Sequence, residues 1–260
     1  MKADIKHLEF IHDTLRVDGN PKSPFWFMGL EEGTGDDSRS ADEHIHAQYV
    51  SAVDQQENGP IEFQYARNLQ KLQATFAGYI KLLLSVTDAE HASSRSWTKD
   101  DVFDYQRNKL GCVETEEYSS CLVELFPLPR HSHDDWLYGD ISARPGLSFL
   151  ASPATYASHA LARSRGPLFV EKVKEFKPRV LFCFGADCRN ALSPLVTSSL
   201  RKIELKCKRG QSSLQAHASY IGTTLVVFSD HPGRYLPDDY WRELGQEVVV
   251  LLNNPQSAAA

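Results

Sequence analysis

"FWFMGLEEGTG", residues 25–35, decides the fold. An apolar run, 25–28, stops at Gly29, two adjacent carboxylates follow at Glu31 and Glu32, and Gly33 and Gly35 close the stretch. A short apolar run without polar alternation marks a strand buried on both faces, as in a parallel sheet. Three further runs share this character: "CLVELF" (121–126), "RVLFCFG" (179–185) and "TTLVVFS" (223–229). Helical patterns lie between and after them. Residues 61–86 repeat apolar positions at three and four and predict one long amphipathic helix. Residues 166–178 predict a shorter helix that stops before Pro178. Residues 236–253 predict a last helix that runs into a short strand. Strands alternating with helices imply an α/β protein of three layers, α/β/α, around a central four-stranded, mainly parallel sheet. One domain is expected over residues 1–253, with a polar surface insertion around 88–118 and a disordered tail at 254–260.

The composition is that of an ordinary globular chain: 260 residues, 42% hydrophobic and 24% charged. No basic start leads into an apolar segment, and no run is long enough to span a bilayer, so a cytoplasmic monomer without membrane contact is expected. The five cysteines lack paired metal spacing and read as reduced thiols. The formal charge of −6 argues against a general nucleic-acid coat protein but permits a local basic face. Charge is unevenly spread. Arg39 is the single Lys or Arg between residues 31 and 62, whereas "RKIELKCKR" (201–209) carries five cations and one acid.

Ligand sites of open α/β sheets lie at the carboxyl ends of the strands. Four segments therefore converge: "GLEEGTG", "PLPRHSHDD", "GADCRN" and "DHPGRY". A carboxylate just past a buried strand, among glycines, is placed to act as a general base; a solvated turn is the plain alternative for Glu31 and Glu32. In "SDHPGR", Pro232 stiffens the chain at His231, whose ring could stabilise negative charge or simply cap and pack. Glu124 is an acid inside an apolar run, costly unless paired or at the rim. His131 and His133, with Asp134 and Asp135, and likewise "DEHIH" (42–46), raise the question of a metal, but neither has a full ligand set. The basic run 201–209 is either a solvated hairpin or loop, or a phosphate-gripping edge beside the fourth strand.

The order of these features resembles the uracil-DNA glycosylase superfamily. Its members carry a motif of the form G-x-[DNA]-P-[GY] after the first strand and His-Pro-Ser after the last. "GLEEG" (29–33) and "HPGR" (231–234) stand in those places here, and "LFPLPR" and "FKPRVLFCFG" look like the strands between. The resemblance spans roughly residues 22–245. It implies that Glu31 activates or positions water, that His231 stabilises the departing base, and that Arg234 or Tyr235 plugs the duplex. Gly29, Leu30, Glu32, Glu124 and Phe126 would line the base pocket, with Phe126 as a stacking wall. Arg130, Arg201, Lys202, Lys206, Lys208 and Arg209 would meet DNA. No cofactor and no metal are implied.

Departures from the family pattern shift the expected base. Glu32 replaces the usual proline and Gly233 the usual serine. Glu124 falls near the position where many members use asparagine to read uracil, and a carboxylate there could accept from an exocyclic amine such as that of cytosine. The first cysteine is Cys112, so the early iron–sulfur ligands of some members are absent. The implied activity is a monofunctional glycosylase that leaves an abasic site at a modified or damaged base. Some relatives act in anti-phage defence on glucosylated hydroxymethylcytosine. The alternatives are a hydrolase of free nucleosides or nucleotides and a nucleic-acid-binding module without catalysis.

Overall fold

The structure, a computed structural model, describes residues 2–33, 38–92, 97–130, 135–196, 199–209, 212–232 and 236–254, without the side chains of residues 30–33, 208, 209, 212 and 213. Its strands are β1 (Val17–Asp18), β2 (Phe25–Gly33), β3 (Ser120–Arg130), β4 (Val180–Phe184), β5 (Arg201–Arg209), β6 (Ser212–Ile221) and β7 (Thr224–Ser229). They form one sheet in the order β1-β3-β2-β4-β7-β6-β5. β2 pairs in parallel with β3 and β4, and β4 with β7. β1, β6 and β5 pair antiparallel at the two sides. The expected sheet of four strands is thus a mixed sheet of seven. The sequence missed the outer strands because they are two residues long or amphipathic.

Both faces of β2 are buried, which is why its sequence is apolar without alternation. Phe25 and Phe27 face one core, with Phe182 and Phe184 of β4. Trp26 and Met28 face the other, with Leu181 and Cys183. The first core is covered by α4 (Ala74–Glu90), α5 (Lys99–Asn108) and α9 (Asp238–Asn253). The second is covered by α7 (Ala160–Phe176) and α8 (Ala186–Leu192). α4 and α9 approach closely at Gly245, where a Cβ would lie 2.5 Å from that of Ser85. A third cluster joins α1 (Ile5–Asp13), α2 (Ala41–Asn58) and α6 (Pro153–Ser158) to Leu128, near the upper end of β3.

Three helix expectations need correction. The helix expected at 61–86 is two: α3 (Gln64–Asn68) and α4. Between them the buried side chain of Gln106 replaces the helix's own bonds. It accepts from the Gln73 amide at 3.0 Å and donates to the Lys71 carbonyl at 3.2 Å. Residues 88–118 are no mere surface insertion, since α5 buries Val102 and Tyr105 in the main core. Finally, α9 stays helical to Asn253, with no closing strand. The stop before Pro178 is as expected: α7 ends at Phe176, and Lys177 takes a left-handed conformation, φ +52°. The tail beyond residue 254 lies outside the described residues. No described helix is long and apolar enough to cross a membrane.

Candidate active site

Strand register shapes the carboxyl edge of the sheet. Met28 is level with Cys183, so Gly29 is level with Phe184, the last residue of β4, which pairs with Ser229, the last of β7. β2 continues four residues further, to Gly33, and β3 accompanies it to Arg130. On the other side, His217 is level with Phe228, so β6 also extends four residues above the end of β7, to Ser212. At about 3.3 Å per residue, each wall rises roughly 13 Å above the floor between them. The floor is three strand spacings wide from β2 to β6, about 14 Å.

That floor is made by two turns. Gly185 leaves β4 at φ +88°, a conformation that favours glycine, and its amide donates to the Ser229 carbonyl at 2.9 Å. A Cβ on Gly185 would come within 3.9 Å of the Cβ of His231, so the exposed His231 stands beside this turn. The next residue, Pro232, is buried on α4: a Cβ on Gly78 would lie 2.3 Å from the Pro232 Cβ and 3.0 Å from the Trp241 ring. The Asp230 amide donates to the Tyr240 hydroxyl at 3.3 Å. His231 is therefore held from behind by packing. Gly78→Ala should therefore lower stability by about 1–3 kcal/mol although alanine is the better helix former, because Pro232 must shift. Denaturant titration against the wild type measures the loss, and an unchanged midpoint would show that the seating of Pro232 is irrelevant.

The wall at β2 and β3 holds the acids. Glu31 is in register with Phe126, and Gly29 with Glu124. A Cβ at Gly29 would meet the Glu124 carboxylate at 2.3 Å, so glycine is required for that carboxylate to lie across the strand. Tyr79 stacks between Phe27 and Phe184, with centroids at 5.0 and 4.4 Å. Burial above all, then the nearby charge of Glu124, holds its phenol protonated. Glu31 lies within β2, two residues past the level of Ser229, and His231 lies two residues past Ser229 in the turn after β7, with β2 and β7 two strand spacings or about 10 Å apart.

A narrow cavity of about 20 Å³, the room of a single water, runs from Glu124, Phe126 and Pro127 to Arg16, Asp18, Gln48 and Arg165. Arg16 pairs with Asp18 at 3.0 Å and donates to Gln48 at 2.9 Å. Arg165 is fully buried and donates to the carbonyls of Leu125, His12 and Thr14, each at 2.8 Å. Burial lowers its pKa to about 10, which still leaves it charged at neutral pH.

No protein-family model matches the chain, and no curated protein matches it. The site is therefore read from its own residues. Gly29, Glu124 and Phe126 meet in one wall, and the backbone of Leu30, Glu31 and Glu32 continues it. The side chains of those three, and all of Arg234, Tyr235, His131, His133 and Asp134, lie outside the described residues. Arg130, expected to meet DNA, is instead buried with its guanidinium over the Trp136 ring at 5.9 Å. It builds the wall.

The basic run is one arm of an antiparallel hairpin with β6, as the hairpin alternative expected, and β6 separates it from the fourth strand. Ile203 and Leu205 point into the core while Lys202, Glu204 and Lys206 are exposed; Arg201 is half-buried. The side chains of Lys208 and Arg209 are outside the description. In "DEHIH", now in α2, His44 is buried, His46 is exposed, and Asp42 is bound by Arg144 at 2.5 Å. Among the described residues no three His, Cys, Asp or Glu side chains are placed to hold a metal.

The sequence reading missed Gly78, Tyr79, Arg16, Gln48 and Arg165. Gly78, an isolated glycine in an apolar helical run, was a usable signal. The others come from elements whose proximity no local pattern encodes.

Proposed function

We propose that this protein is a monofunctional DNA glycosylase acting on a flipped, modified base. One observation carries the reading: Glu31 and His231, the acid and histidine named by the two motifs, each lie two residues past the level of Ser229 on the same carboxyl edge. Cleavage of an N-glycosidic bond creates positive charge on the sugar and negative charge on the base. A carboxylate on one side and a histidine on the other answer both. β2 and β6 stand three strand spacings, about 14 Å, apart across the ends of β4 and β7. On this reading the nucleotide leaves the stack and enters between the walls.

The finer reading concerns the base. The carboxylate of Glu124, laid across Gly29, presents acceptor oxygens. It suits the exocyclic amine of a cytosine better than the carbonyl of uracil. The narrow cavity beyond it must open to admit a substituent. The three-layer, glycosylase-like arrangement is supported by helices packed on both faces of the parallel strands.

The test is incubation with single-stranded and duplex oligonucleotides carrying uracil, cytosine, or cytosine substituted at C5 with hydroxymethyl or glucosylated groups. Alkaline cleavage detects abasic sites, and mass spectrometry identifies the released base. Release from a substituted cytosine is expected. Cleavage of free nucleosides with no abasic site in any DNA would overturn the proposal in favour of a small-molecule hydrolase.

A further inference from the structure

Two basic side chains outside the motifs sit beside the basic strand. Arg189 lies in α8, four residues after the floor glycine Gly185, about 6 Å along a helix. Its Nη1 approaches the Nδ1 of His217 on β6 at 3.4 Å. His217 is directly opposite Lys202 of β5. Helix and hairpin thus bring three basic groups together from three elements. A guanidinium only donates, so Nδ1 of His217 accepts and its proton resides on Nε2. Arg189 keeps its other N–H groups, His217 keeps one N–H, and Lys202 adds an ammonium.

The balance of charge around them is positive. Among the described residues Arg189 makes no ion pair, while Lys202 meets Glu204 at 2.9 Å. Burial, then Arg189, then Lys202 hold the pKa of His217 below its usual value. Arg189 and Lys202 are both cationic, and an anion between them relieves their repulsion.

We infer that Arg189, His217 and Lys202 form a seat for one phosphate of a nucleic-acid strand crossing the carboxyl edge. This seat presupposes that the edge is a DNA site, and it adds Arg189 and His217 to that surface. A phosphate accepts several donors at once, and guanidinium, imidazole N–H and ammonium supply them from separate directions. The seat lies one helical turn from Gly185.

The experiment measures binding of a fluorescent oligonucleotide, single-stranded and duplex, across a salt series. Arg189→Ala is expected to weaken binding about tenfold whatever the sequence. The slope of log K against log salt should shrink by about 0.7 to 0.9. Arg189→Lys should keep the slope, and His217→Gln should weaken affinity while keeping most of it. Lys174→Ala, at an exposed cation of α7 outside the seat, should change nothing. Thermal unfolding checks that each variant is folded. Normal binding by wild type with an unchanged slope in both Arg189→Ala and His217→Gln would overturn the seat alone. An equal loss in Lys174→Ala would overturn it too, as a general charge effect. Failure of wild type to bind any oligonucleotide would overturn both the seat and the DNA reading. If inorganic phosphate shifts the His217 resonances and Arg189→Ala abolishes this while oligonucleotide binding is untouched, the ligand is free phosphate and the nucleic-acid assignment is wrong.

Discussion

Glu31→Gln is expected to abolish base release and leave DNA binding intact. Glutamine keeps the size and hydrogen-bonding capacity of the side chain but cannot take a proton from water or offset positive charge on the sugar. Loss of a general base alone is worth about 10²- to 10⁴-fold, and loss of the electrostatic contribution adds to it. The measurement is single-turnover release from the substrate DNA with enzyme in excess, beside an equilibrium binding titration. His231→Asn should lose less, roughly 10- to 100-fold, because the asparagine amide keeps a hydrogen-bond donor where the ring stood. Wild-type release by Glu31→Gln would end the proposed mechanism, since nothing else in it supplies the base. Failure of binding as well as release would instead place Glu31 in recognition.

The parts of the fold that were legible in the sequence are those where one physical demand dominates. β2, β3, β4 and β7 are buried on both faces over their paired cores, so each carries a short apolar run without alternation, Glu124 being the acid set within that of β3. β5 has only one buried face. Its Ile203 and Leu205 alternate with exposed Lys202, Glu204 and Lys206, and the charge hides the strand period. α2 carries its own signal, the Ser40–Glu43 capping box, but too few apolar residues to stand out. The break between α3 and α4 was illegible because the bonds that satisfy it belong to Gln106, some thirty residues later.

The site divides in the same way. Glu124 announced itself as an acid among apolar neighbours, but its partner Gly29 follows only from strand register. His231 was visible through Pro232, yet the reason that Pro232 holds still is Gly78, on another helix. Arg16, Gln48 and Arg165 become neighbours of Glu124 only after folding. Sequence thus names groups whose chemistry is locally anomalous, and the structure supplies the groups that position them.

The second large effect expected is on stability in acid, and it rests on His12. This histidine is fully buried. Its Nδ1 donates to the Leu8 carbonyl at 2.6 Å, so Nε2 is the acceptor for the Tyr156 hydroxyl at 2.9 Å. Burial lowers its pKa from 6.5 to about 3, the bond to Leu8 opposes this, and the charge of Arg165 adds to the lowering. The unfolded chain binds this proton below pH 6.5 and the folded chain does not. Stability is therefore full above pH 6.5 and falls as pH falls toward 3. The span is worth roughly 4–5 kcal/mol, a large share of a typical domain's stability. Denaturant titrations between pH 7 and pH 4 should show this slope in the wild type. His12→Asn, which cannot be protonated, should be less stable at pH 7 but lose less on acidification. Carboxylates such as Asp42, held near pKa 2 by Arg144, contribute equally to both proteins and cancel in the difference. Parallel profiles for the two proteins would remove His12 as the cause. The coupling also reaches the pocket wall. Tyr156 packs edge-on against Phe126 at 5.7 Å and against Trp136 at 5.3 Å, so protonation of His12 should loosen the Phe126 wall before the sheet itself unfolds.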